Sequence, residues 1–265
     1  MTVSQETIDA WGRRLDAVSA RIARAFPGER PERQPVHTVY GGAHLFAADT
    51  APKLGALAKR ALEEHAPDPR TLADALGMAS TDLAEQVYAR VAEKLDREPV
   101  EDYRLDFEDG YGNRPDSEED GHAASSAREV ARGLAEGTLP PFIGIRVKPL
   151  TGELGRRAIR TLDIFLTTLA DEAEALPDGF CVTLPKIQDK EQVQVLDEVL
   201  SELESKLGLS QIPIELMLET PQMVVDRDGL SGPIRYVEAA RDRVRGVHFG
   251  TYDYTASLSI TAAHQ

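Results

Sequence analysis

The sequence predicts a parallel α/β fold of the barrel type, and three observations carry that prediction. Six short apolar runs alternate with helical patterns along most of the chain. The runs are apolar almost throughout, as strands covered on both faces require. Each run also stops at polar residues, which is where a parallel barrel gathers its chemistry. At 265 residues the chain can bury a substantial core within a single barrel domain.

The first element is helical. Ile8, Trp11, Leu15, Val18, Ile22 and Phe26 recur at spacings of three and four, so an amphipathic helix is expected over residues 4–26, ended near Pro27-Gly28. Its apolar stripe calls for a cover, from the body of the domain or from another subunit. The Pro-rich stretch from Pro27 to Pro35 reads as a linker, which sets the expected division into residues 1–35 and a barrel domain over 36–265.

A first strand is expected over Val36–Tyr40, broken by Gly41-Gly42. Helical patterns come next over residues 49–65, 71–76 and 82–95, with Leu83, Val87, Val91 and Leu95 on one face of the last. Three helices before the second strand exceed what one β/α unit needs, so residues 66–100 read as a helical insertion. Further strands are expected over 103–107, 142–147, 180–184, 212–218 and 245–249, with helices over 155–175, 189–207 and 233–241. The acid run Asp116 to Asp120 reads as a solvated charge cluster. Six strands are two short of an eight-stranded barrel, so either a longer native chain or an unusual closure is expected.

The totals exclude several functions. A formal charge of −15 argues against a nucleic-acid partner, because phosphate binding needs concentrated Lys and Arg. The one cysteine, Cys181, lies inside an apolar run, so neither an intrachain disulfide nor a cysteine metal cluster can form, and a reducing cytoplasm is the expected compartment. No run approaches the roughly 20 apolar residues that cross a bilayer, and no membrane role is expected. Neither Gly-x-Gly-x-x-Gly nor a phosphate loop is present.

The strand ends carry the chemistry. They read Tyr40-Gly41-Gly42-Ala43-His44, Asp106-Phe107-Glu108-Asp109-Gly110-Tyr111-Gly112, Arg146-Val147-Lys148-Pro149, Pro185-Lys186, Glu219-Thr220-Pro221 and Gly250-Thr251-Tyr252-Asp253. Glu219 and Asp253 stand after two strands joined by one helix, and such a parallel unit puts both carboxylates on the same face of the sheet. Two converging carboxylates with positions to spare suit Mg²⁺ or Mn²⁺, and a helix-capping role is the competing reading. Lys186 suits anion binding, or a Schiff base if its pKa is lowered. His44 lies beyond a Gly-Gly turn and is either a proton-transfer group or a cap; His248, inside a strand, suits a hydrogen-bonded supporting role.

In this order, a Glu-Asp after the second strand, Arg-Val at the third, Leu-Pro-Lys at the fourth, Glu-Thr at the fifth and Gly-x-x-Asp at the sixth, the chain resembles the HpcH/HpaI aldolase and citrate lyase beta-subunit family of the phosphoenolpyruvate/pyruvate barrels. The resemblance covers roughly Val36 to Tyr254. It implies a (β/α)8 TIM-type barrel and Mg²⁺-assisted making or breaking of a carbon–carbon bond beside a carbonyl. It implies Glu219 and Asp253 as metal ligands, Arg146 as a substrate-binding and catalytic group, and Glu108 and Asp109 as acids that order water or neighbouring groups near the metal. Coenzyme-A ester lyases of the family usually read Arg-Val-Asn where this chain reads Arg146-Val147-Lys148.

The expected function is therefore a cytoplasmic, Mg²⁺- or Mn²⁺-dependent carbon–carbon lyase, a homo-oligomer, acting on a small oxo acid or an acyl thioester. His44, Glu108, Asp109 and a metal-bound water stay open as the base, and Lys186 is expected to bind substrate. The reading from another class is a non-catalytic barrel that serves as a binding or scaffold subunit.

Overall fold

The computed structural model describes residues 2–28 and 31–265. The chain forms two compact units, one ending at Gln34 and the other opening at Pro35. The first is helix α1 (Gln5–Ala25), whose start is fixed by the Ser4 side chain accepting the Thr7 N–H. Glu6 in its first turn and Arg24 in its last complement the helix dipole. The stripe is open: Trp11, Leu15, Ile22 and Phe26 are each more than half exposed. Of the linker, residues 29 and 30 lie outside the described residues.

The second unit opens with β1 (Val39–Gly42), a 3₁₀ turn (Ala43–Leu45), α2 (Thr50–His65), α3 (Pro69–Leu76), α4 (Thr81–Arg97) and β2 (Asp102–Asp106). It continues with α5 (Asp116–Glu136), β3 (Phe142–Arg146), α6 (Gly155–Glu172), β4 (Cys181–Leu184), α7 (Lys190–Leu207) and β5 (Ile214–Leu218). Then come α8 (Pro221–Val224), α9 (Gly232–Ala239), β6 (Val244–Phe249) and α10 (Thr251–Ser257). All six strands are parallel and lie in chain order, β1 to β6. The extra helices before β2 are α3 and α4. Among the described residues, no helix is long and apolar enough to cross a membrane.

The core lies between one face of the sheet and the helices. Leu105, Ile143, Ile145, Val182, Leu184, Ile214 and Leu216 point outward against Val130 of α5, Leu162, Phe165, Leu166 and Leu169 of α6, and Leu196 and Leu200 of α7. Each such side chain contributes about 1.5–3 kcal/mol on burial. The other face is polar, which corrects the expectation of strands apolar on both sides. Register aligns Gly42, Asp106, Arg146, Thr183, Glu215 and Gly246 in one row across the strands. Period-two alternation sends these residues, with Asp102 and Arg104, to the inner face. That face curls: the Tyr40 hydroxyl of β1 lies 2.7 Å from His248 Nδ1 of β6.

Three expectations need correction. β1 begins three residues later than predicted and contains Gly41 and Gly42 instead of stopping at them. A side chain at Gly41 would collide with the Tyr103 hydroxyl, and a Cβ at Gly42 would stand 2.5 Å from the Gly110 carbonyl oxygen, so these glycines permit close approach of neighbouring backbone and ring. The run Asp116 to Asp120 is not a solvated loop; it opens α5, where acids suit the helix N-terminus. Asp253 lies in the first turn of α10 and not in a loop beyond β6.

Candidate acidic site at the strand ends

The inner face is built in two storeys. In the lower one Arg104, only 1% exposed, donates through Nη2 to Glu215 (2.8 Å) and through Nε to Thr183 Oγ1 (3.1 Å), and pairs through Nη1 with Asp102. Asp102 also accepts from the Thr38 hydroxyl at 2.9 Å. Burial pushes the Glu215 carboxyl upward, but Arg104 outweighs it and holds the pKa below the usual range. His248 Nε2 lies 3.6 Å from Glu215 while its Nδ1 faces Tyr40, the supporting position expected of a histidine inside a strand. Cys181 is buried, and burial pushes its thiol pKa up.

The upper storey begins with Arg146 at the end of β3. Its Nε and Nη2 donate to the two oxygens of Asp106 at 2.7 and 2.6 Å, a bidentate pair, and its guanidinium lies 4.6 Å above the Tyr40 ring. Asp106 in turn accepts the N–H groups of Glu108 (2.9 Å) and Gly110 (2.7 Å), so it anchors the loop after β2. Arg146 Nη1 is left pointing toward Glu108 Oε2 at 3.4 Å.

Four acids and one lysine form the rim. Lys186 donates to Glu108, lies 3.1 Å from both oxygens of Asp109 and stands 3.4 Å from Asp253 Oδ2. Its backbone N–H donates to Glu219 Oε1 at 2.6 Å. That geometry depends on an unusual backbone: Lys186 has φ 50°, in the left-handed region that few non-glycine residues adopt. Glu219 packs on Gly250, where a Cβ would stand 2.5 Å from its own Cβ.

The local environment shifts these groups. Burial pushes the Glu108 pKa up to about 7, against the pull of Lys186 and Arg146. Burial also raises Glu219, and the nearby Asp253 charge adds to it. Asp109 is held low: burial opposes this, but the hydrogen bonds with Glu108 and Lys186 prevail. Lys186 itself is raised, because its hydrogen bonds to Glu108 and Asp109 outweigh burial. A raised pKa works against the neutral amine that a Schiff base needs.

The remaining predicted residues lie beside this rim. His44 packs edge-on to Tyr111 (5.4 Å between ring centroids) and beside His122 (5.8 Å), and burial and Arg114 lower its pKa. It is grouped with these aromatic rings and not with the acids around Lys186. Lys148 donates to the Phe107 carbonyl at 2.7 Å and pairs with Glu119 at 2.8 Å, a buried acid that also accepts from Thr161 at 2.7 Å. Two clefts, of about 370 Å³ beside Gln188 and Tyr236 and about 500 Å³ beside Pro52 and Pro99, are lined by other residues. Sequence reasoning singled out neither Asp106 nor the Arg104–Glu215 pair. A charged residue alternating with apolar ones inside a strand was the available signal.

The donor set suits a hard divalent ion. The acids offer only oxygen, and Glu108 Oε2 is buried without a hydrogen-bond partner. Among the described residues, no three His, Cys, Asp or Glu stand where one ion would touch them all. A metal here would therefore rest on at most two of these acids, with water or substrate in the remaining positions.

Comparison with known proteins gives a family and a distant structural likeness. No curated protein matches the chain. Among solved structures it is similar to a Haloferax volcanii malate synthase lead(II) complex, at 17% identity and a TM-score of 0.44, over 68% of this chain and 49% of that one. It is also similar to the native Haloferax volcanii malate synthase at 3 mM glyoxylate, at 16% identity and a TM-score of 0.45, over 68% and 50%. The chain spans about half the length of these structures. A family profile described as Domain of unknown function (DUF6986) matches residues 15–265, and the chain belongs to that family.

Proposed function

We propose that the chain is a divalent-metal-assisted carbon–carbon lyase that cleaves a hydroxy-oxo acid or a β-hydroxyacyl thioester at the rim of its strands. The observation that carries this reading is the excess of acid there. Glu108, Asp109 and Asp253 face the ammonium of Lys186 and Glu219 accepts its backbone N–H, while Arg146 forms a bidentate pair with Asp106 and reaches Glu108 with its third nitrogen. The order of motifs that resembles the HpcH/HpaI aldolase and citrate lyase family supports the same reading. So do the strand order and the inward polar side chains, which fit the first six units of a (β/α)8 barrel.

Mg²⁺ or Mn²⁺ held by Glu219 and Asp253 would supply Lewis-acid polarisation of a substrate carbonyl. The chain's own groups do the rest. Arg146 is fixed by Asp106 and the Tyr40 ring, so Nη1, 3.4 Å from Glu108 Oε2, is aimed in a set direction from which it would donate to a substrate carboxylate. Glu108, poised near neutrality with an unpartnered oxygen, takes the hydroxyl proton as the carbon–carbon bond breaks. The electron pair of that bond moves onto the carbonyl side of the other fragment. While no ion is bound, Asp109 holds the Lys186 ammonium at the rim.

Release of pyruvate or glyoxylate from a panel of 4-hydroxy-2-oxo acids and β-hydroxyacyl thioesters tests the proposal. Turnover should require Mg²⁺ or Mn²⁺, stop with EDTA, and fall at least roughly a hundredfold in Glu219→Gln and in Asp253→Asn. Cleavage that survives EDTA would refute the metal-assisted mechanism. A folded protein that binds no Mn²⁺ and turns over nothing would favour the non-catalytic scaffold reading.

A further inference from the structure

One residue engages every acid of the rim. The Lys186 ammonium contacts Glu108, Asp109 and Asp253, and the Lys186 N–H holds Glu219. An acidic cluster alone would say little, but Glu108 is more than nine-tenths buried and its Oε2 has no hydrogen-bond partner. The nearest cation to that oxygen besides Lys186 is Arg146 Nη1, 3.4 Å away and too far to satisfy it well, so the cluster still has hydrogen-bonding capacity to spare.

We propose that Lys186 is the resident counter-ion of this carboxylate cage, and that a divalent cation binds by displacing its ammonium, so that the chain sets its own metal affinity. The inference rests on the metal reading above and extends it to a residue that is not a ligand. Three features support it.

The first is electrostatic. An ammonium 3.4 Å from Asp253 and a divalent ion on that carboxylate would stand a few ångströms apart, and like charges that close repel. The second is the division of labour within Lys186. Its backbone is held in the left-handed region at φ 50° between Pro185 and the fully buried Ile187, whose carbonyl accepts from the Thr220 hydroxyl. The N–H bond to Glu219 can therefore persist while the side chain leaves. The third is a way out: the Lys186 side chain is 28% exposed, and its flexible four-carbon stem lets the ammonium reach water.

Lys186 thus does in the metal-free protein what the ion does in the loaded one, which is to keep repelling carboxylates together. Arg146 cannot substitute for it, because two of its three nitrogens are committed to Asp106.

The test measures Mn²⁺ binding by calorimetry in the wild-type chain, Lys186→Met and Lys186→Arg, with thermal unfolding followed by circular dichroism in EDTA. Lys186→Met should bind Mn²⁺ roughly tenfold or more tightly, since a competing charge is gone. It should melt lower than wild type without metal and recover when Mn²⁺ is added. Lys186→Arg should stay close to wild type. In the wild-type chain, Mn²⁺ should also raise acylation of the Lys186 amine severalfold, read by mass spectrometry, a measurement that does not depend on any variant folding. Wild-type binding with equal or weaker affinity in Lys186→Met, or no gain in Lys186 acylation, would overturn the displacement while leaving the metal site standing. Absence of Mn²⁺ binding in folded wild type and variants alike would overturn the metal reading and the displacement with it.

Discussion

Two charge groups stand on the same side of the sheet, one buried within it and one at its partly exposed rim, and they are built differently. Below, Arg104 is enclosed by Asp102, Glu215 and Thr183, with Thr38 and His248 completing the shell. There two acids share one guanidinium that hydrogen-bonds to both, and Glu215 is held below its usual pKa. Above, four acids share one lysine, and Glu108 and Glu219 are pushed upward. In the lower group both acids are hydrogen-bonded to the guanidinium; in the upper, Glu108 keeps a buried oxygen without a hydrogen-bond partner. Position separates them too: the lower group stands on inward residues within the strands, whereas Glu108, Asp109, Lys186, Glu219 and Asp253 all lie just beyond the strand ends.

The most severe test of this contrast is Arg104→Leu. Removing the lower guanidinium leaves Asp102 and Glu215 buried without a counter-charge, and stability should fall by about 3–5 kcal/mol in urea unfolding. A loss below about 1 kcal/mol would mean that the lower network is no more structural than a surface pair.

Glu108→Gln probes the upper group. The folded pKa of Glu108, about 7, stands above the usual 4.5. Its stabilising contribution is therefore fully present below about pH 4.5 and lost as pH rises through 7. In EDTA, Glu108→Gln should be more stable than wild type at pH 8 by on the order of 2–3 kcal/mol, and the gap should close on acidification. A gap that is constant from pH 4 to 8 would show that the upper acids are as well matched as the lower ones.

The smallest effect is expected at Gly250→Ala. The new methyl would press on Glu219, whose Cβ is 2.5 Å from the position it would take. A cost of about 1–2 kcal/mol is expected, with weaker Mn²⁺ binding and an unchanged lower network. Tight Mn²⁺ binding in this variant would place the ion away from Glu219.

Much of this arrangement was legible in the sequence. Strand positions could be read from apolar runs bounded by turn residues, and the rim acids from the polar residues at which those runs stop. β1 was misplaced because Gly41 and Gly42, usually punctuation, serve here to admit the Tyr103 hydroxyl and the Gly110 carbonyl. The start of α5 was missed because Asp116 to Asp120 carries charge without apolar periodicity, and the buried face beyond it is made largely of small residues, Ala123, Ser126 and Ala127. Who pairs with whom was not legible at all. Arg146 meets Asp106 across 40 residues and Lys186 meets Glu108 across 78, and only the register of the sheet brings them together.

The open stripe of α1 also decides how the protein can be watched. Its one tryptophan, Trp11, stands on that helix, 52% exposed. Indole emission is therefore a local reporter of the N-terminal unit, sensitive to whatever comes to lie on the stripe. Loss of the sheet can be followed through the far-ultraviolet signal of the backbone, to which α1 also contributes.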